Sequence, residues 1–147
     1  MLDRPTILDA VLPSIASIAP DPAADPDAVG LARIVATSPG VLAGVPVAKE
    51  VFGRLGVRTR ALVEEGTVVA AGQVVAEVGG ALAAIRGAAP VALTWLRRLC
   101  AVATGAVPPA EGDPLEIEAA RLSRPEAVQD AGPSFRLEID ASDGLDG

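Results

Sequence analysis

Ser38-Pro-Gly-Val-Leu-Ala-Gly-Val-Pro-Val-Ala-Lys-Glu-Val-Phe-Gly53, with Val63-Glu-Glu-Gly-Thr-Val-Val-Ala-Ala-Gly-Gln-Val-Val-Ala-Glu-Val-Gly79 behind it, decides the fold. In the first stretch Ser38-Pro39-Gly40 reads as a turn and Val41-Leu42-Ala43 as a short apolar strand. Gly44 breaks that strand. Pro46 suits the start of a helix, where a missing N–H costs nothing. Val47, Val51, Phe52 and Leu55 then share one helical face, with Lys49, Glu50 and Arg54 on the other. Gly56 ends the helix. Val57, Thr59, Ala61 and Val63 alternate with Arg58, Arg60 and Leu62, which predicts a strand with one buried face. In the second stretch Glu64-Glu65-Gly66-Thr67 is a turn, and Val68 to Val78 holds two short strands around Gly72. Glu64 and Glu65 are neighbours, so in a strand they face opposite ways and form no acid–base pair; in a turn both are expected to face water.

Outward from this centre, Leu31, Arg33 and Val35 alternate with Ala32, Ile34 and Ala36 as one more strand. Upstream, Pro20 to Ala28 holds three prolines and three acids and reads as a linker. Before it, a weak helix capped by Thr6 and carrying Ile7, Val11 and Leu12 is expected to stop at Pro13. Downstream, Gly79-Gly80 reads as a hinge, Ala81 to Ile85 as a further strand, and Pro90 to Gly105 as a long helix. Val91, Trp95, Leu99 and Val102 line one face of that helix, and Leu93, Leu96, Cys100 and Ala103 the next. Only Thr94, Arg97 and Arg98 are polar. So apolar a helix requires cover on nearly all sides, and in a short chain a second subunit is the expected cover. Trp95, Leu99 and Val102 are therefore candidate interface residues. Beyond Gly105 the pattern weakens, although Leu115 to Leu122 fits a short helix and Phe135, Leu137 and Ile139 alternate as an edge strand would.

Composition sets further limits. Half of the 147 residues are hydrophobic, but Phe52, Trp95 and Phe135 are the only aromatic ones, so the core must be aliphatic. No apolar run approaches the roughly 20 residues of a membrane span, and the N-terminus has no signal-peptide pattern, so the expected location is the cytoplasm. Residues 1–104 carry nine acids and nine bases, and 105–147 carry ten acids and three bases; the whole net charge of −7 belongs to the second part. That balance argues against a nucleic-acid partner, which needs clustered Lys and Arg. There is no histidine, one lysine and one cysteine. The commonest general base and metal ligand is thus missing. Cys100 sits in an apolar helix and reads as a small buried residue. No phosphate-binding loop, metal-ligand spacing or nucleophile triad appears, and neither a metal nor a cofactor is expected.

The glycine-punctuated cadence of residues 63–79 is similar to the half-barrels of lipoyl and biotinyl domains. Those domains present a lysine at a hairpin tip, whereas Lys49 lies on a helix, so covalent carriage is not expected. A closer resemblance covers about two thirds of the chain. Gly40 to Gly44, Val47-Ala48, Val51-Phe52, Glu65-Gly66, Val69, Gly72 and Val75 follow the wording of the N-terminal domain of quinolinate phosphoribosyltransferase, nicotinate-nucleotide pyrophosphorylase (carboxylating). The resemblance implies an open-faced α/β sandwich that covers a partner subunit's catalytic barrel in a dimer. It also implies a helix head reading Ala-Glu-Arg-Val-Ala-Leu-Asn, whose arginine reaches the partner's substrate. This chain reads Ala88-Ala-Pro-Val-Ala-Leu-Thr94, with Ala89, Pro90 and Thr94 replacing the acid, the arginine and the asparagine. Leu99-Cys-Ala-Val-Ala-Thr104 stands where the family has Leu-Ser-Gly-Ile-Ala-Thr. The residues after Thr104 are far short of a (β/α) barrel, which needs roughly 200.

The expectation is therefore an α+β fold: a small open-faced mixed sheet with barrel-sandwich-like hairpins and a long packed helix. Residues 1–28 form a helical arm and linker, 29–105 the phosphoribosyltransferase-like domain, and 106–147 an acidic, partly disordered tail. A free-standing domain that is not catalytic alone is expected, acting as an oligomerising or accessory subunit linked to NAD biosynthesis. Its partners would be its own copies or a phosphoribosyltransferase catalytic chain. No catalytic residue is assigned; Arg86, Arg97 and Arg98 are candidate anion or partner contacts, against the plainer reading of solvated charges. Half of a split pyrophosphorylase with a composite site, or a scaffold or ligand module unrelated to NAD, are the alternatives.

Overall fold

The computed structural model describes residues 7, 13, 18–25, 27–105, 108, 110–122 and 134–139. Its elements are β1 (Val29–Ala36), β2 (Gly40–Val41), α1 (Val45–Arg54), β3 (Arg58–Ala61), β4 (Val68–Val69), β5 (Val74–Ala81), α2 (Leu82–Thr104), α3 (Pro114–Ala120) and β6 (Phe135–Ile139). The four-stranded sheet has the order β3-β5-β1-β6, and β2 pairs with β4 in a separate small sheet. The fold is α+β, and every described ladder is antiparallel rather than mixed. Of the expected N-terminal helix, Ile7 and Pro13 are described and both are helical; Thr6, Val11 and Leu12 lie outside the described residues, as does the acidic stretch after Ile139.

Period-two alternation places Ala32, Ile34 and Ala36 of β1 fully inside, with Ala76 and Val78 of β5 beside them. The opposite face is charged and partly open to water, with Val35 buried at one end of it. Arg60, Glu77, Arg33 and Glu138 stand across its four strands in one register line. Alternating charge keeps neighbouring strands compatible, although an exposed pair such as Arg60–Glu77, at 3.8 Å, contributes little. Leu31 lies over Gly79, where an added Cβ would come within 3.0 Å of its Cδ2. The inner face of the sheet, α1 and α2 enclose one largely aliphatic core containing Ile34, Val51, Phe52, Ile85, Leu96 and Leu99.

The largest departure from expectation concerns α2. Ala81 to Ile85 does not form a strand; β5 runs through Gly79 and Gly80 to Ala81, and the helix begins at Leu82. Pro90 does not open the helix but lies inside it. Proline in a helix interior costs about 3 kcal/mol through its missing N–H and its clash with the preceding turn. Here Pro90 and Arg86, the residue whose carbonyl loses its bond, both lie on the exposed stripe. Water can serve the carbonyl, and burial of Ala84, Ile85, Ala88 and Ala92 on the opposite side holds the helix together. Gly87 permits a close approach: a Cβ there would come within 1.9 Å of the Ala19 carbonyl oxygen.

Elements beyond residue 105 complete the layers. The short helix expected at Leu115 to Leu122 forms at Pro114–Ala120 and packs on α2 through Leu115 and Ala119. The expected edge strand forms at Phe135–Ile139 and becomes the fourth strand of the sheet. Among the described residues no helix is long and apolar enough to cross a membrane.

Candidate functional site

The long helix α2 carries every residue singled out from the sequence as a contact, and the structure separates them into three groups. Trp95, Leu99 and Val102 are buried by the chain's own elements. The cover sought in a second subunit comes here from α1, α3 and the sheet. Arg98 is engaged within the chain. Its guanidinium lies 5.3 Å from the centre of the Trp95 ring, pairs through Nε with Glu116 Oε2, and sits 3.5 Å from Asp113 Oδ2. Both acids belong to the start of α3. Asp113 Oδ1 accepts from the Leu115 and Glu116 N–H groups as an N-cap, and Glu116 Oε1 accepts from Ala110 N–H at 2.7 Å. Arg98 thus fastens α3 to α2.

Arg86 and Arg97 form the third group and are exposed. Arg86 shares a depression with Asp21, Asp25 and Leu82, at the loop tied to the helix head by Asp21 N–H to Ala83 O and Leu82 N–H to Ala28 O. Four residues further along the same stripe, Pro90 and Thr94 border an open cleft of about 430 Å³ with Val91, Trp95 and Arg98. Thr94 turns its hydroxyl back to donate to the Pro90 carbonyl at 2.7 Å. The cleft wall is mostly apolar, and its one cation is already paired.

Reading the sequence alone missed the polar groups that join α2 and α1 to the Val41–Val45 strip. Thr104 Oγ1 accepts from Val41 N–H at 2.9 Å, and Cys100 Sγ both accepts from Ala43 N–H and donates to Ala43 O, each at 3.2 Å. Two side chains of the helix thereby serve the side of this strip turned away from β4, whose own bonds to the strip run through Leu42 N–H to Thr67 O and Gly66 N–H to Leu42 O. Burial pushes the Cys100 thiol up to about 12, leaving it protonated and unreactive. Glu65, expected to face water, is instead half-buried. Its two oxygens accept from Gly44 N–H at 2.7 Å and Val45 N–H at 3.1 Å, so it caps α1 from the adjacent turn. Beside it a cleft of about 450 Å³ opens between α1 and β3, lined by Pro46, Lys49, Thr59 and Leu62 among others. The Thr59 hydroxyl is buried there and has no hydrogen-bond partner among the described residues. Among the described residues no group of three or more His, Cys, Asp or Glu could hold a metal ion.

Burial raises the Glu65 carboxyl above its ordinary range, and the two N–H donors pull it part of the way back. A carboxyl whose folded-state affinity for protons exceeds its unfolded one stabilises the fold below the unfolded value, and that contribution is lost as pH rises through the folded one. The difference in melting temperature between Glu65→Gln and the parent should therefore shift in favour of the glutamine as pH rises from 4 towards 7. Glu65→Ala should cost about 1–3 kcal/mol, because two partly buried N–H groups lose their acceptor. Thermal unfolding followed by circular dichroism at several pH values measures both.

The fold is similar to part of several solved nicotinate-nucleotide pyrophosphorylases. The Francisella tularensis nicotinate-nucleotide pyrophosphorylase superposes with a TM-score of 0.63 at 22% identity, over 72% of this chain and 40% of that one. NadC from Streptococcus pyogenes gives 0.58 at 24%, over 69% and 39%. The Ehrlichia chaffeensis enzyme gives 0.60 at 12%, over 83% and 53%. The chain thus corresponds to roughly half or less of each of those proteins. No similar sequence was found among curated proteins. The family model for the quinolinate phosphoribosyl transferase N-terminal domain matches residues 15–100, and the chain belongs to that family.

Proposed function

We propose that this chain works in the cytoplasm as an accessory, oligomerising subunit linked to NAD biosynthesis, and that it does not carry out phosphoribosyl transfer by itself. One observation carries this reading: the helix head that would meet substrate in the family holds the scaffold but none of the chemistry. Ala89 is buried, Pro90 sits exposed at the cleft, and Thr94 bonds back to its own helix. None of these can donate to a carboxylate as the family's arginine would. The exposed stripe of Arg86, Pro90, Thr94 and Arg97 remains available to lie on a phosphoribosyltransferase catalytic chain.

A split-enzyme reading is favoured by one feature, the position of Arg86 one helical turn before Pro90 on the same exposed stripe. From there it could supply the missing cation to a composite site. A tagged pull-down from the native host, with captured proteins identified by mass spectrometry, tests both readings. A phosphoribosyltransferase chain among them supports the link, and Arg86→Ala in the reconstituted complex then separates the two: an unchanged rate favours the accessory role, a large loss the composite site. Capture of the chain alone would end both.

A further inference from the structure

We propose that the free edge of β6 pairs with the β6 of a second copy, joining two four-stranded sheets into one antiparallel sheet. This deepens the oligomeric half of the function proposed above, and its test needs no phosphoribosyltransferase partner. β6 is the last strand in the order β3-β5-β1-β6, bonded on one side to β1; among the described residues no strand pairs with its other side. Thr37 N–H donates to Ser134 O at 2.8 Å, on the register line that sets Val35 opposite Arg136 and Arg33 opposite Glu138. Bonded and non-bonded pairs alternate along an antiparallel ladder. Ser134, Arg136 and Glu138 therefore turn their backbone groups towards β1, while Phe135, Leu137 and Ile139 turn theirs to the open edge.

The sequence Phe135-Arg-Leu-Glu-Ile139 is complementary to itself about its centre. A two-fold axis at Leu137 sets Leu137 opposite Leu137 and Phe135 opposite Ile139 of the second copy. These are the residues whose N–H and C=O groups face outward, so they become the bonded pairs. The same axis sets Arg136, which pairs along its own strand with Glu138 Oε2 through Nε at 2.8 Å and Nη2 at 2.7 Å, opposite Glu138 of the second copy, and the reverse, so that two intrastrand pairs meet as a four-charge cluster across the axis. Those fall on the non-bonded positions, where Cα atoms come within about 4.5 Å and opposite charges attract most. The half-buried inner-face side chains of Phe135, Leu137 and Ile139 would cover one another. A parallel pairing in register would set arginine against arginine, so the charges also select the direction. The opposite sheet edge lacks this property: β3 presents Arg58 and Arg60 without an acid, as guarded edges do.

The experiment is sedimentation equilibrium of the chain from micromolar to near-millimolar concentration, with melting curves to verify folding. The parent should form a reversible dimer. Arg136→Glu and Glu138→Arg, each placing like charges on both sides of the axis, should each weaken it about tenfold or more while melting as folded proteins. An equimolar mixture of the two should form a heterodimer, and the doubly exchanged Arg136→Glu/Glu138→Arg chain should dimerise like the parent. A parent that stays monomeric throughout, or a dimer indifferent to both single reversals, would overturn the proposal. Neither result bears on whether a catalytic chain is captured in the pull-down.

Discussion

Trp95→Asp should abolish cooperative folding rather than merely divide an assembly. The indole is 8% exposed and packs beneath the Arg98 guanidinium, beside Leu99 and the start of α3. Deleting a buried aromatic of this size costs about 3–5 kcal/mol, against a total stability of about 5–15 kcal/mol for a domain. The new carboxylate adds more. Arg98 already serves Glu116 and Asp113, so a third acid there meets two like charges with one cation between them. Far-UV circular dichroism should show loss of helix and of a sharp melting transition, whereas Trp95→Phe should fold with a modest loss. A monomeric Trp95→Asp chain with native helix content and a cooperative melt would instead assign this face to a subunit interface.

The cover of α2 also shows what the sequence makes legible. Apolar positions on adjoining faces reveal that the helix is enclosed, but not by what. Its cover includes α3, whose pattern alone is short and unremarkable, and which is tied down by Arg98 through contacts between residues distant in sequence. Local signals were read correctly where local physics decides: the alternation in Leu31–Ala36 and Phe135–Ile139, and the helix between Gly44 and Gly56. Pro90 lies inside the helix despite proline's first-turn preference, because packing on the alanine-rich side outweighs the one backbone bond it removes. Glu65 turns inward for a related reason. Nothing in Glu64-Glu65-Gly66 indicates that two uncapped N–H groups from Gly44 and Val45 arrive beside it. Such a partner follows only from the β2–β4 pairing that brings the two turns together.

Gly44 is where these constraints converge, and Gly44→Ala should be strongly destabilising. The residue caps α1 at φ +104°, a conformation in which a side chain costs roughly 1–2 kcal/mol. Its N–H must stay aimed at Glu65. An added Cβ would lie 2.8 Å from Leu99 Cδ1 and 3.3 Å from Leu99 Cβ. The first atom could rotate away, but the second is fixed to the helix backbone, so α2 itself would have to retreat, at about 1–3 kcal/mol for overpacking. Together these terms predict a loss of roughly 2–5 kcal/mol, and a melting temperature lower by about 4–20 °C. Two other glycines isolate the contributions. Gly72 has φ +88° with open space around it, so Gly72→Ala should lose only the backbone term. Gly53 lies on the exposed side of α1 with ordinary helical backbone and no atom within 4 Å, so Gly53→Ala should gain about 0.5–1 kcal/mol from helix propensity. Melting curves should rank the variants Gly53→Ala, parent, Gly72→Ala, Gly44→Ala in decreasing stability. Equal losses at Gly72 and Gly44 would mean that backbone strain alone acts at the cap, and that the close approach of α2 to the Gly-Val-Leu-Ala-Gly strip does not constrain the fold.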